Sequence, residues 1–258
     1  MTERSNRCIE EYRTQTRRTA APDFAAKCLD RLGLADRYLA IESAIGPVYV
    51  AWNPVGVSAV RQASDSEAFE RWFRKRFARR ALPATGEAPI VESVRRALAG
   101  ESVPELAIDL RDCTPFEADV LRKAREIGRG HARPYAWLAR EINRPRAVRA
   151  VGSALANNPV PLLIPCHRVV RSDYSSGEYV FGSDVKRKLL EREGLDLPAI
   201  TDLVRHGYHY LGQPDDGCFC LPTCGNVIHD QHLVRFHSVD EAIAQGLEPC
   251  TTCRPIAA

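Results

Sequence analysis

The chain has 258 residues, 45% of them hydrophobic and 27% charged, with a formal net charge of +3. That length is enough to bury a core and predicts one to three domains. No apolar run is long enough to span a bilayer, and Met1 to Arg18 is polar and Arg-rich rather than signal-like, so the chain reads as soluble and intracellular, with no membrane partner.

Charge is unevenly placed. Arg129 to Arg171 carries eight Arg, no Lys and one acidic residue, Glu141, whereas Asp196 to Ala258 carries three Arg against eight Asp and Glu. A compact Arg-rich block is the footprint expected for a nucleic-acid backbone. The nine cysteines suit metal binding, nucleophilic chemistry or plain burial, because a reducing cytosol disfavours a disulfide framework.

Taken in order, residues 1–36 read as an N-terminal extension, with a short helix after Pro22 that places Phe24, Cys28, Leu29 and Leu32 on one face. Strands are predicted at Tyr38–Ser43, Val48–Trp52 and Val57–Val60. They are separated by the turn signals Ile45-Gly46-Pro47 and Pro54-Val55-Gly56, as a small antiparallel meander. Helices are predicted near Ser66–Ala78 and Ile90–Ala99, with Phe69, Trp72 and Phe73 in the core. Thr114-Pro115 opens a further helix, Thr as cap and Pro in the first turn, with Phe116, Val120, Leu121 and Ala124 as its apolar stripe and its end near Gly128 to Gly130. Tyr135–Ile142 and Arg146–Ala156 are two short helices joined by Asn143-Arg144-Pro145, the plan of a helix-turn-helix. The small residues Ala147, Ala150, Gly152, Ser153 and Ala154 let the second of these approach a backbone closely. A stiff turn, Asn157 to Pro161, leads through Leu162-Leu163-Ile164 to Pro165-Cys166-His167-Arg168. A closing helix spans Lys186–Glu193, ended by Gly194, and a linker is expected around Pro198.

An unassisted thiol is only a few per cent ionised at neutral pH. Cys166 has His167 beside it as a base and Glu193 further along to orient the imidazole, the three parts of an activated nucleophile. Sequence adjacency alone leaves a buried, inert Cys open. So does the residue pattern leave open a DNA-binding regulator that uses Cys166 as a sensor, and a Cys-His hydrolase.

The segment Asn158-Pro159-Val160-Pro161-Leu162-Leu163-Ile164-Pro165-Cys166-His167-Arg168-Val169-Val170 resembles the active-site segment of the O6-alkylguanine-DNA alkyltransferases. The likeness extends through Thr114-Pro115-Phe116, Tyr135 and Arg149 upstream and Tyr179, Gly182, Lys186 and Glu193-Gly194 downstream, over about residues 37–195. The resemblance implies single-turnover transfer of an alkyl group from O6-alkylguanine, with O4-alkylthymine as a further substrate, to Cys166 in double-stranded DNA. It implies a monomer, cytoplasmic and nucleoid-associated, or nuclear in a eukaryote. It gives catalytic roles to Cys166, His167, Glu193 and Tyr135. Arg149 would fill the place of the flipped base, and Asn158, Arg168, Arg146 and Arg144 would lie against DNA. Val169, Tyr179, Val180, Phe181 and Lys186 would form the base pocket, the Val169 carbonyl and Val180 N–H reading base edges. Phe181 stands where many members have Gly and Val180 replaces a smaller residue, which implies a narrower pocket. Gly130-His131-Ala132-Arg133-Pro134 also departs from the family's lead into the Tyr.

Near the C-terminus, Cys220 and Cys224 are separated by three residues, Cys250 and Cys253 by two, and the pairs by 25. Two paired-Cys arms predict a tetrahedral zinc site. Ser238-Val239-Asp240-Glu241 reads as a capping box for a helix ending at Gly246. Cys218 falls outside the ligand spacing. Cys8, Cys28 and Cys113 read as structural. His206, His209, His229, His232 and His237 are surplus to a shell of four Cys. Gly217 to Pro255 resembles the zinc-binding domain of Ada-type methylation-response proteins, which implies a structural zinc and raises Cys220 as an acceptor of methyl groups from phosphotriesters. Asp215, Asp216 and Leu221 replace that domain's Thr-Thr and Arg, and the tail is acidic, so a structural role is favoured. No organic cofactor is expected.

The predicted architecture is therefore α/β in three parts. Residues 37–108 form a small antiparallel-sheet, RNase H-like unit. Residues 109–195 form a helical winged or helix-turn-helix alkyltransferase domain, and residues 200–258 a small α+β zinc domain.

Overall fold

The computed structural model describes residues 29, 34–84, 86, 88–226 and 233–255. The expected helix after Pro22 falls almost wholly outside them, as do Cys8, Cys28, His229 and His232. Among the described residues no helix is long and apolar enough to cross a membrane.

The chain opens with three strands, β1 (Ala35–Ile41), β2 (Val48–Asn53) and β3 (Gly56–Arg61), in antiparallel succession. Helix α1 (Ser66–Phe77) follows, capped by the Asp65 carboxylate on the Ala68 N–H and closed by Ala78 in the left-handed conformation. Its Phe69, Phe73 and Phe77 recur at every fourth position, so one face carries all three into the sheet. The chain then returns as β4 (Arg80–Pro83), parallel to β1. The sheet order is β3-β2-β1-β4: the expected antiparallel meander is present as β1–β3, and the unexpected parallel β4 makes the sheet mixed. The reason is the α1 crossover, which brings the chain back in the same direction as β1. Helix α2 (Pro89–Leu98) completes this unit and buries Val91, Val94 and Leu98.

Helix α3 (Pro115–Arg125) begins at a full capping box: Thr114 accepts from the Glu117 N–H, and the Glu117 carboxylate accepts from the Thr114 N–H. It ends a few residues before the expected glycines. After it come β5 (Arg133–Pro134), α4 (Tyr135–Glu141) and α5 (Val148–Ala156). Helices α3, α4 and α5 pack on one another around Leu121, Leu138, Val151 and Leu155. The active-site turn, a 3₁₀ turn at Cys166–Arg168, runs into β6 (Val169–Val170), which pairs in parallel with β5. Helix α6 (Ser183–Arg192) closes the unit.

Pro198 does not mark a linker. It occupies the first turn of helix α7 (Leu197–Arg205), where a missing N–H costs nothing, and Asp196 caps that helix on the Ala199 N–H. Leu197 and Ile200 are buried with Ala132, Val170, Tyr174, Leu190 and Leu195, so α7 packs onto the preceding unit. The tail is a second sheet in the order β10-β8-β7-β9, from β7 (Tyr210–Gln213), β8 (Cys218–Cys220), β9 (Val234–Phe236) and β10 (Glu248–Pro249). Helix α8 (Val239–Ala244) carries the expected Ser238 cap, but Glu241 reaches back to the His237 N–H rather than to Ser238.

Candidate active site and metal centre

The loop before the nucleophile is built by Asn158. Its side-chain carbonyl accepts from the Val160 N–H at 3.0 Å, and its amide donates to the Ile164 carbonyl at 3.0 Å and to Cys166 Sγ at 3.2 Å. Leu162 sits at φ 75 inside this loop, a left-handed conformation that L-residues adopt at a cost of about 1–2 kcal/mol. The expected role of Asn158, holding the turn that joins α5 to the nucleophile, thus has a physical basis. Both polar atoms of its side chain are thus hydrogen-bonded within the protein.

Cys166 is 3% exposed, yet its side chain is not sealed in. It forms one wall of a cavity of about 140 Å³ with Tyr135, Gly152, Leu155, Ala156, Glu178, Tyr179 and Val180. Burial pushes its thiol up, and the Asn158 amide and the nearby Lys186 ammonium pull the other way. His167 is also buried. Burial lowers its pKa against the opposing pull of Glu193, so the ring rests neutral. Nε2 lies 3.1 Å from Glu193 Oε1, which fixes the Nε2–H tautomer, while Nδ1 is buried without a partner. The imidazole is therefore held by one nitrogen and offers a lone pair on the other.

Glu193 accepts from both His167 and Arg168. Burial alone would raise its carboxyl, but the hydrogen bonds from His167 and Arg168 outweigh burial and hold it at about 2. Tyr135 stands at the start of α4 beside Gly152 of α5, whose added Cβ would lie 4.0 Å from the ring. Burial, together with the charge of Cys166, pushes its hydroxyl up, so it keeps its proton.

Four expected site residues are engaged by protein groups rather than lining the cavity. Arg168 is turned into the protein: Nε and Nη2 bind the Glu193 carboxylate at 2.9 and 2.7 Å, and Nη1 binds the Ile127 carbonyl at 2.6 Å. A guanidinium so committed, and only 13% exposed, is a brace for the acid. The base pocket is also drawn differently. Tyr179 and Val180 line it, but Phe181 packs edge-on against Tyr179, and Val169 and Lys186 stand behind the wall, with Lys186 Nζ on the Val169 carbonyl at 2.6 Å. The missed lining residues are Gly152, Leu155, Ala156 and Glu178. Gly152 and Ala156 were legible as small residues four apart, hence on one helix face. Arg144 and Arg146, in the turn, and Arg149, on α5, are each exposed.

The Sγ atoms of Cys220, Cys224, Cys250 and Cys253 all lie within 4.8 Å of one another, and all four residues are buried. Zinc–sulfur bonds of about 2.3 Å would set a tetrahedron's sulfurs about 3.8 Å apart, so the set fits zinc. The Leu221 N–H already points at Cys253 Sγ, 3.3 Å away, as suits a thiolate. Cys220 is 0% exposed. A histidine outside the five considered from the sequence, His131, lies close to the cluster, with Nδ1 3.9 Å from Cys224 Sγ.

An inward-held, hydrogen-bonded cysteine in the wall of a cavity, beside a helix pair with exposed Arg, is the arrangement of a DNA-binding unit that carries an addressable thiol. Residues 115–195 match the 6-O-methylguanine DNA methyltransferase, DNA binding domain, and residues 203–255 match the metal binding domain of Ada. The chain is 34% identical over 167 residues to the methylated-DNA–protein-cysteine methyltransferase of Methanosarcina barkeri, covering 62% of this chain and 98% of that one. It is 34% identical over 168 residues to the bifunctional transcriptional activator/DNA repair enzyme Ada of Escherichia coli, covering 62% of this chain but 46% of that protein, so it spans less than half of that relative's length. The crystal structure of Mycobacterium tuberculosis OGT in complex with DNA superposes with a TM-score of 0.50 at 30% identity, over 62% of this chain and 92% of that one. The chain belongs to the methylated-DNA–protein-cysteine methyltransferase family.

Proposed function

We propose that this protein repairs double-stranded DNA by moving a small alkyl group from O6 of guanine to Cys166, once per molecule, and that Cys166, His167, Glu193 and Tyr135 carry the reaction. The observation behind this is the placement of the Cys166 thiol in the wall of the Tyr135 cavity, with an unpartnered His167 Nδ1 on a ring anchored by Glu193. A base stacked in a duplex cannot reach that cavity. It must be extruded, at a cost of a few kcal/mol, and the exposed Arg149 on α5 would occupy the gap. Arg144 and Arg146 supply phosphate attraction. The thiol proton passes to His167 Nδ1 through a bridging water. The thiolate attacks the alkyl carbon in line: the C–S bond forms, the C–O6 bond breaks, and the electron pair stays on guanine. Guanine takes a proton from the Tyr135 hydroxyl, which regains one from solvent as the imidazolium gives its own up. The thioether has no leaving group of comparable quality, so the protein is consumed.

The cavity of about 140 Å³ is below the roughly 300 Å³ at which drug-sized sites begin, which supports methyl and other small adducts as the substrates. The same proposal includes a monomer in three units, RNase H-like (37–108), winged helix-turn-helix (109–195) and zinc-binding (200–258), after the 1–36 extension. Zinc at the four cysteines supplies structural cross-linking, and the complete burial of Cys220 supports that role over phosphotriester chemistry. The test is mass spectrometry after exposure to duplex DNA bearing O6-methylguanine. One methyl is expected on the Cys166 peptide and none in Cys166→Ala, with DNA binding retained. Sequence-specific binding without mass gain would instead identify a regulator.

A further inference from the structure

The two cysteine knuckles do not merely close a tail. Both grip one segment of the alkyltransferase unit, residues 131–141. From the first knuckle, Thr223 Oγ1 donates to the Ala132 carbonyl at 2.7 Å, the Ala132 N–H donates to the Thr223 carbonyl at 3.0 Å, and the Gly225 N–H donates to His131 Nδ1 at 2.9 Å. The buried Arg133 guanidinium adds a bond to the Thr223 carbonyl at 3.3 Å. From the second knuckle, the Cys253 carbonyl accepts from Trp137 Nε1 at 2.7 Å. The next residue, Arg254, stacks over the Trp137 ring and pairs with Glu141.

The gripped segment is also the active-site wall. A helix turns about 100° per residue, so Tyr135 and Trp137, two apart on α4, project to opposite sides, while Trp137 and Glu141, four apart, share a face. One side of α4 thus faces the Cys166 cavity and the other faces the cysteine cluster. Arg133 and Pro134 pair with Val169 and Val170, the strand into which the Cys166 turn runs. Cys253 is therefore one hydrogen bond away from the helix that carries Tyr135, and Thr223, next to Cys224 in the chain, is one hydrogen bond away from the strand paired with the exit of the nucleophile turn.

We propose that the tetracysteine centre is a metal-dependent clamp on the alkyl-transfer site, so that zinc occupancy of the C-terminal module governs how well Tyr135 and the Cys166 turn are placed. The inference rests on the functional reading above. It makes Trp137 and Thr223 positioning residues, and it is reciprocal: whatever loosens their contacts also loosens the metal.

The experiment uses the full-length zinc-loaded protein. Methyl transfer to Cys166 in that sample is the control, and its failure would sink the functional reading rather than the clamp. Zinc is then removed with a chelator, and transfer rate is followed by mass spectrometry alongside hydrogen exchange of residues 131–141 and 166–170. Transfer is expected to slow by at least about tenfold, as small misplacements at a reacting centre do, with faster exchange in both segments. An unchanged rate and unchanged exchange after zinc loss would overturn the clamp. Trp137→Phe and Thr223→Val keep all four ligands. Each is expected to release zinc to a competing chelator about tenfold faster and to slow transfer. Release and transfer at wild-type rates in both variants would overturn the proposal independently, including where the stripped wild type unfolds.

Discussion

Replacing Glu193 by Gln tests the acid at the centre of the site with almost no change of shape. The wild-type carboxylate is 11% exposed and takes three hydrogen bonds, two from Arg168 and one from His167. Gln has a single acceptor oxygen, and its NH₂ would face a donor, so at least one charge-assisted bond is lost. Arg168, 13% exposed, also loses its counter-charge. Removing one partner of a buried pair costs about 3–5 kcal/mol. The lower end applies, because Arg168 keeps the Ile127 carbonyl. Linkage gives a second route: the carboxyl is lowered from 4.5 to about 2, and at about 1.4 kcal/mol per pH unit this corresponds to at most about 3 kcal/mol. The folded pKa is the lower one, so this stability is present above pH 4.5 and is lost as pH falls from 4.5 towards 2. Urea unfolding should show Glu193→Gln destabilised by about 3 kcal/mol at pH 7 and by less than half of that at pH 3. Methyl transfer should slow by about a hundredfold, because the imidazole base loses its orienter. Equal stability at pH 7, or a deficit as large at pH 3 as at pH 7, would refute the account of this carboxylate.

Asn158→Ala should cost about 1–3 kcal/mol, the price of one orphaned group. The Val160 N–H loses its acceptor, whereas the Ile164 carbonyl still receives the Cys166 N–H; a urea midpoint equal to wild type would argue against this. Arg149→Ala should slow transfer from duplex DNA by about tenfold or more but leave transfer from a single strand nearly unchanged, since only the duplex imposes the unstacking cost. Equal losses on both substrates would remove Arg149 from base extrusion. With DNA carrying methylphosphotriesters and no base lesion, peptide mapping should find no methyl on Cys220, and its appearance there would overturn the structural reading of the cluster.

Local chemistry explains which parts of the fold were readable. Thr114-Pro115, the phenylalanines of α1 and the first three strands announce themselves through caps, periodicity and turn signals, which are properties of neighbouring residues. β4 did not, because four residues ending in Pro acquire strand character only through pairing with β1, more than 40 positions earlier. Pro198 misled because the same residue that interrupts a helix also starts one. Cys166, His167 and Glu193 were legible as chemistry. The direction in which Arg168 points was not, since successive side chains leave the backbone on different sides. The grip of the cysteine knuckles on Ala132 and Trp137 was beyond reach, because it uses main-chain carbonyls that every sequence possesses.

Gly225 sits where the two modules meet. A Cβ on it would come within 2.8 Å of the Gly130 carbonyl and 3.0 Å of His131 Nε2. The seam there is closed to the width of a bare backbone, so a zinc module transplanted from a relative would not seat unless it too presented glycine after its second cysteine. Fusion of the two modules in this chain is thus more than a shared reading frame: each has been trimmed to the other's surface.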